Sequence, residues 1–351
     1  MNRKICFIAD AGSPHTQKWV RGCLKLNWEI FIISHRPGAI PGAKVIVHPL
    51  TLTGFPRYCW SLRRLIRRIN PDIVHAHQFG AHGLYGWFAG CRNLVISAWG
   101  SDILVNPGRS PWFRWLVKFL IKHAQKLTSV SPQVTAELIR LGASPDKILT
   151  FLIGIERSDF ERLRKAVKPE SPFVICSPRL HEPLYNLPVI LKAFQLISRN
   201  YPDVWLWVAG DGSLTQKLQD FVAVCGMKRV KFWGKVPPEQ MLELMIQSRV
   251  MVSIPSSDGT PVSMLEAMAA GCFMIVSNIP SYQSWIKHGH NGLIVEPDPD
   301  ALAMALRRSI EQTELRERAS AENRRLIESR AIWEDQFQSM LDWYEKAAEV
   351  R

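Results

Sequence analysis

The chain predicts an α/β protein of two parallel-sheet domains, and three observations carry that prediction. Short apolar runs of strand character alternate with helix-length segments from end to end, a pattern that builds parallel sheets with helices on their faces. The alternation comes in two series, separated by residues 158–171, a charged stretch that ends in Lys168-Pro-Glu-Ser-Pro172 and reads as a linker. At 351 residues the chain exceeds one core, and 47% hydrophobic residues suffice to fill two.

In the first series the expected strands are residues 4–9, 29–34, 45–48, 73–75, 94–98 and 126–130. Helices are expected over 16–26, 58–69, 80–89, 111–123 and 132–141. The second series has strands at 173–177, 204–209, 230–233, 250–254 and 272–277. Its helices cover 187–200, 214–224, 238–247, 261–270, 281–287 and 299–314. Residues 315–351 are helical by pattern, and Trp333, Phe337, Met340, Leu341 and Tyr344 fall three and four apart on one apolar face that needs a partner surface. The expected domains are 1–160 and 170–330, with a C-terminal helix at about 331–351.

Charge is distributed unevenly. Residues 1–155 carry 20 Lys/Arg against 6 Asp/Glu, a net of +14, whereas residues 156–351 carry 24 against 25, a net of −1. The basic half therefore expects an anionic partner: a membrane surface, a nucleic acid or an anionic substrate. The seven cysteines, at 6, 23, 59, 91, 176, 225 and 272, form no CxxC or Cys/His cluster, so neither a zinc site nor a disulfide scaffold is expected. No apolar run approaches the ~18 residues of a membrane span, and the apolar start is too short for a signal peptide. A cytoplasmic setting is expected.

The most informative stretch is Ser257-Asp-Gly-Thr-Pro-Val-Ser-Met-Leu-Glu266-Ala-Met-Ala-Ala-Gly271. It follows a strand-like run, breaks at Gly259 and restarts as a helix, with Thr260 a suitable N-cap, Pro261 the first helical residue and Gly271 the stop. Asp258 in the loop and Glu266 on the helix then flank a helix N-terminus. Free backbone N–H groups there suit a phosphate, and the carboxylates suit a hydroxyl-rich group attached to it. Arg179, at the end of another buried strand, points into the crevice where α/β proteins bind ligands, and its guanidinium can grip phosphate oxygens.

An acidic residue, seven residues, then Glu resembles the signature of the retaining glycosyltransferases of family 4, and the resemblance extends along nearly the whole chain. It implies the GT-B architecture: two Rossmann-like domains facing across a cleft, with the final helix crossing back to the first. It implies a nucleoside diphosphate sugar bound by the second domain and no bound metal or other cofactor. Arg179 then resembles the diphosphate-binding Arg, and Asp258 stands where the family usually has Glu. Gly259, Thr260, Pro261, Val262 and Ser263 would line the donor, with the amides of Thr260, Val262 and Ser263 turned to the leaving group, and Glu266 would hold the ribose. Gly210 and Gly212 resemble a Gly-Asp-Gly turn that faces the nucleotide, and Val236 lies in the segment whose backbone meets the base. The relatives add a Lys five or six residues after the Arg; here Leu184 and Tyr185 occupy those places, followed by Asn186. The turn around Asn291-Gly292 resembles a family segment but also reads as a plain turn.

In the first half, Gly12 lets the loop after the first strand approach donor phosphates, Thr16 is placed to cap a helix, and His15 either meets an acceptor or is solvated. Trp99 replaces the His of the family's His-Gly-x-Asp, while Gly100 and Asp102 remain. Trp99 can stack on a sugar but cannot transfer a proton, and Asp102 either contacts the acceptor or holds its own loop. His75 and His77 lack a third zinc ligand, so they are structural or face the acceptor. Two basic aromatic helices, 57–68 and 110–122, fit either an anionic lipid surface or a solvated face, and no nucleic-acid motif is visible.

The resemblance thus implies transfer of a hexose, most often from a UDP-sugar, with retention, to a saccharide or lipid-linked acceptor at the cytoplasmic membrane face. A nucleotide-sugar-binding scaffold or partner subunit, or a GT-B epimerase, are the alternatives. The sequence leaves the sugar and the oligomeric state open.

Overall fold

The structure, a computed structural model, describes residues 3–49 and 55–349, without the side chain of Pro56. Contacts divide it into two compact units: the chain up to Leu152 together with that from Glu334 onward, and Ile153–Trp333.

The first unit holds β1 Lys4–Ile8, β2 Glu29–Ser34, β3 Ala43–Val47, β4 Ile73–His77, β5 Leu94–Ala98, β6 Lys126–Ser129 and β7 Ile148–Thr150. They form one parallel sheet in the order β3-β2-β1-β4-β5-β6-β7. Central β4 and β5 are buried throughout, while edge strands β3 and β7 are partly exposed, as expected of a sheet covered on both faces. The second unit holds β8 Phe173–Pro178, β9 Val204–Ala209, β10 Val230–Gly234, β11 Val250–Ser253, β12 Phe273–Ser277 and β13 Gly292–Val295. Its sheet, also parallel, runs β10-β9-β8-β11-β12-β13. Its core gathers Ile175, Leu191, Phe194, Val252, Phe273 and Leu302. The predicted α/β fold of two parallel sheets is therefore present.

Several expectations need correction. Residues 158–171 are not an open linker: Arg157–Arg164 is a helix whose Phe160 and Leu163 are buried, and it belongs to the second unit. Its apolar spacing was masked by the surrounding charge. The helix expected at 16–26 is Pro14–Cys23, so Thr16 lies inside it and caps nothing; its hydroxyl meets His77 Nδ1 at 3.2 Å. The Asn291-Gly292 turn leads directly into a sixth strand, β13, which pairs with β12. The tail is two helices, Thr313–Arg330 and Trp333–Glu349, interrupted where Ile332 bridges to Ile155.

Trp333, Phe337, Met340, Leu341 and Tyr344 are all buried. The Tyr344 hydroxyl accepts from Trp19 Nε1 at 3.0 Å and bonds His75 Nδ1. A Cβ added to Gly22 would lie 2.5 Å from Phe337 Cε1, so the small residue lets the last helix approach Pro14–Cys23 closely.

Each sheet reverses its winding once. In the first, β2 and β3 lie to one side of β1 and β4–β7 to the other; in the second, the reversal falls between β8 and β11. A crevice opens at the carboxyl ends of the strands at such a switch point, and ligands of open α/β sheets bind there.

Candidate active site

In the second unit the carboxyl ends of β8 and β11 bring together residues 79 apart in sequence. Arg179 follows β8, Asp258 lies in the loop after β11, and their side chains form an ion pair. Arg179 is only 7% exposed and Asp258 19%. Burial opposes the Arg179 charge, but Tyr282, Asp258 and Tyr185 outweigh it and hold the guanidinium above its ordinary value. Its Nε is buried without a hydrogen-bond partner among the described residues. The pair leaves this donor unused.

Asp258 has two more partners. Its Oδ1 accepts from the Gly259 amide at 2.8 Å, and its Oδ2 accepts from the Tyr282 hydroxyl at 3.3 Å. Tyr282 is fully buried and also bonds Ser253 Oγ at 2.8 Å. Burial pushes the Tyr282 hydroxyl up, so it remains a protonated donor. The Tyr185 ring lies 4.3 Å from the Arg179 guanidinium carbon, a cation–π contact at one of the places where a Lys was expected. Asn186 adopts a left-handed conformation and donates through Nδ2 to Ile254 O, tying the β8 loop to the β11 loop.

The helix after Asp258 is Val262–Ala269, one residue later than expected, with Pro261 as the N-cap residue. Thr260 is therefore outside the helix, and its hydroxyl accepts from Trp285 Nε1 at 3.4 Å. The first amides of a helix have no acceptor inside it, so Val262 and Ser263 open a positive helix end toward the Asp258 loop. Ser263 and Glu266 are half-buried and share a face, one turn apart. Gly271, with φ +75°, ends the helix; the Cys272 amide reaches back to Ala267 O.

Gly210 and Gly212 serve the protein's own packing. A Cβ on Gly210 would meet Arg179 O at 2.3 Å, and one on Gly212 would meet His181 O at 2.7 Å. This close approach to the Arg179 loop fixes that loop beside β9. Val236 follows edge strand β10 and is half-buried.

In the first unit a cavity of about 370 Å³ sits at the switch point of β1 and β4. Asp10, His15 and Thr16 line it from after β1, His35 from after β2, His77, Gln78 and His82 from β4 and the turn beyond, and Trp99 from β5. Gly12 is exposed on the same loop, its amide donating to Asp10 Oδ1 at 2.9 Å. The Trp99 ring lies 5.1 Å from His15 and 5.3 Å from His77. The Nε1 of Trp99 and Nε2 of His77 are buried without a partner among the described residues. Burial, then His82 and His15, push His77 down to about 3, so it is neutral at pH 7. His75 is a structural residue, bonded on both sides by Tyr344 and Ser97.

Asp102 is 5% exposed and accepts from the amides of Trp99, Gly100 and Phe79 at 3.0, 2.9 and 3.2 Å. It holds the loop that carries Trp99. Burial raises its carboxyl to about 6 in spite of those three amides.

Sequence reasoning missed Tyr282, Tyr185, His35 and His82. Nothing in a lone Tyr or His marks it: Tyr282, His35 and His82 are brought to their sites by strand order, and Tyr185 by the local turn at Asn186.

Two family models match the chain: glycosyl transferases group 1 over residues 158–326, and glycosyl transferase 4-like over residues 4–131. The chain is 25% identical to the D-rhamnosyltransferase WbpZ of Pseudomonas aeruginosa over 293 residues, 77% of this chain and 74% of the relative. It is 26% identical to the N-acetyl-alpha-D-glucosaminyl L-malate synthase of Bacillus anthracis over 271 residues, 72% and 70% of the two chains. Among solved structures, the Anabaena protein HepE, in complex with UDP and glucose, aligns with a TM-score of 0.78 at 17% identity, covering 98% of this chain and 100% of that one. The sucrose-phosphate synthase of Thermosynechococcus elongatus aligns with a TM-score of 0.83 at 15% identity over the whole of both chains. At these identities the structures speak for the fold, while the two models speak for the family: the chain belongs to the group 1 glycosyltransferases and has the GT-B fold.

Proposed function

We propose that the protein transfers a hexose, with retention, from a UDP-sugar to a saccharide or lipid-linked acceptor in glycan or glycolipid synthesis. The observation that carries this reading is the buried Arg179–Asp258–Tyr282 cluster at the β8/β11 switch point, beside the N-terminus of Val262–Ala269. The HepE structures in complex with UDP and glucose and with UDP-glucose support the donor class.

The donor's diphosphate lies against Arg179 and the amides of Thr260, Val262 and Ser263. As the bond from the anomeric carbon to the phosphate oxygen breaks, negative charge grows on that oxygen. A guanidinium and a helix end fixed in place stabilise it without reorganising. Asp258 holds sugar hydroxyls, and Glu266 holds those of the ribose. The acceptor oxygen bonds to the anomeric carbon on the face the phosphate leaves, and its proton passes to the departing phosphate oxygen. Arg179 and the amides supply the charge that other transferases draw from a metal ion, so the reaction proceeds without one. The acceptor sits in the first unit's cavity, stacked on Trp99, with His15 at its rim.

The same unit supports work at the cytoplasmic face of a membrane. Helix Phe55–Ile69 buries Leu62 and Ile66 yet leaves Trp60 67% exposed, and helix Pro111–His123 buries Leu116 and Leu120 yet exposes Trp112 and Trp115. Ring contacts run Trp60–Phe88–Trp87–Phe119–Trp115 across three helices at centroid spacings of 4.8–6.4 Å. Tryptophans interleaved with Arg and Lys suit an anionic lipid interface. No described helix is long and apolar enough to cross the bilayer.

The test is UDP and GDP release from a panel of nucleotide sugars, with and without membrane lipid extract and with and without EDTA, using Glu266→Ala as control. Lipid-dependent, EDTA-insensitive release from one UDP-sugar, lost in the variant, is the expected result. Donor binding with no release under any acceptor overturns transfer in favour of a scaffold.

A further inference from the structure

The second unit carries another cavity, of about 360 Å³, lined by Lys168, Arg249, Arg316, Glu317, Ser320 and Arg324. Lys168 precedes β8 and Arg249 precedes β11, so this cavity lies at the amino edge of the sheet. Arg179 and Asp258 follow the same two strands at the carboxyl edge. Strands of this length, at ~3.3 Å per residue, hold the two edges roughly 15–20 Å apart. The cavity is therefore separate from the donor site.

Four cations against one carboxylate stand out in a half of the chain whose net charge is −1. Part of that charge has a structural use. Lys168 Nζ donates to Met245 O at 2.6 Å, Arg324 to Ala269 O and Ala270 O at 3.3 Å, and Arg316 to Ser309 O and Ile310 O at 2.7 and 2.8 Å. These carbonyls end three helices, and a helix end carries about half a negative charge. Three ends and Glu317 balance about two and a half of the four positive charges. Arg249 is the surplus: its guanidinium donates to Pro169 O at 2.8 Å rather than to any of these helix ends, and its Nε is buried without a partner among the described residues. Arg249 and Arg316 both line the cavity and both lie near one ring, that of Phe173, at 5.8 and 5.2 Å, which keeps the two guanidiniums together. Burial, then Arg249, lowers Arg316; burial, with Arg324 and Arg249 adding to it, lowers Lys168. Such repulsion is relieved by an anion.

We propose that this cavity binds a phosphoryl oxyanion, either free phosphate or the phosphate of a small phosphorylated metabolite, between Arg249, Arg316 and Lys168. Paired guanidinium forks match tetrahedral oxyanions, and the volume lies in the range of small-molecule sites. The inference is independent of the donor reading.

The test is calorimetric titration and thermal melting of the full chain with inorganic phosphate and with glycerol 3-phosphate. It compares wild type, Arg179→Gln, Arg249→Gln/Arg316→Gln and Arg249→Lys/Arg316→Lys. Saturable binding with a raised Tm is expected in wild type and Arg179→Gln. The Gln pair should lose it at least tenfold while still binding UDP, and the Lys pair should keep most of it. If the Gln pair fails to fold, Arg249→Gln alone decides by the same tenfold loss. Tighter binding of glycerol 3-phosphate than of phosphate identifies an esterified ligand; equal binding identifies the free ion. No saturable binding in wild type, or binding lost in Arg179→Gln but kept in the Gln pair, overturns the proposal.

Discussion

Replacing Asp258 by Asn should weaken the protein, tighten UDP and slow transfer. The pair sets a 7% exposed guanidinium against a 19% exposed carboxylate. Removing one partner of a buried ion pair costs about 3–5 kcal/mol because the other charge stays buried. The lower end, about 3 kcal/mol, applies here, since Asp258 is partly open, the amide oxygen can keep the Gly259 contact and Nδ2 can donate to the Tyr282 hydroxyl in place of accepting from it. UDP reverses the balance. In the wild type an incoming diphosphate must draw Arg179 from Asp258 and approach the carboxylate. Like charges about 7 Å apart repel by about 2 kcal/mol at an effective dielectric of 20. Removing that repulsion should tighten UDP by about tenfold, which needs 1.4 kcal/mol. Saturating UDP should then restore most of the lost stability.

The measurements are the Tm with and without UDP, the UDP Kd by calorimetry, and the rate of UDP release from the active donor. A rate loss of about 100-fold is expected, because hydroxyl contacts matter most as the sugar departs. The combination of tighter product binding with slower transfer is the signature. If Asp258→Asn weakens UDP binding, Arg179 does not serve the diphosphate and the assignment of the site fails.

The remaining predictions concern the first unit. Asp102 is raised from 3.8 to about 6 by burial, so its stabilising contribution is complete below pH 4 and is lost as pH rises through 6. Asp102→Asn does not titrate; relative to wild type it should gain about 2 kcal/mol between pH 4.5 and 7.5 in urea melts, and a pH-independent difference would reject the shift. Gly22→Ala pushes a methyl against Phe337 and should cost about 1–3 kcal/mol, relieved in Gly22→Ala/Phe337→Leu; no cost in thermal melts would mean the last helix does not pack there. Trp60→Ser/Trp115→Ser should lower affinity for phosphatidylglycerol-containing vesicles on the order of tenfold at unchanged Tm, and unchanged sedimentation would remove the aromatic ladder from the membrane reading.

The sheets were legible because a strand buried on both faces must be apolar throughout. Leu94-Val-Ile-Ser-Ala98 and Phe273-Met-Ile-Val-Ser277 therefore announce themselves without any partner in view. Edge strand β13 escaped because it is four residues long and follows an Asn-Gly turn that explains itself locally. The helix Arg157–Arg164 escaped for the opposite reason: its two buried residues are outnumbered by charged neighbours whose side chains face away from the core.

The site divides along a similar line. Arg179 and Asp258 could be named because each follows a strand, and Glu266 because it lies on the helix that the Asp258 loop leads into, so chain order places all three near a carboxyl edge. Their partners could not, because Tyr282 reaches Asp258 only through the adjacency of β11 and β12, and Tyr185 reaches Arg179 through a left-handed turn at Asn186. The two departures from the family pattern take on a physical meaning here. Where a second cation was expected, an aromatic ring supports the first one, so the single charge of Arg179 is held in place rather than duplicated. A shorter carboxylate, Asp258, reaches that charge and rests on it. On the proposed reading, donor binding would have to break an ion pair before it could use the cation, and the strength of the Arg179–Asp258 contact would then set both the affinity for the diphosphate and the ease of its release.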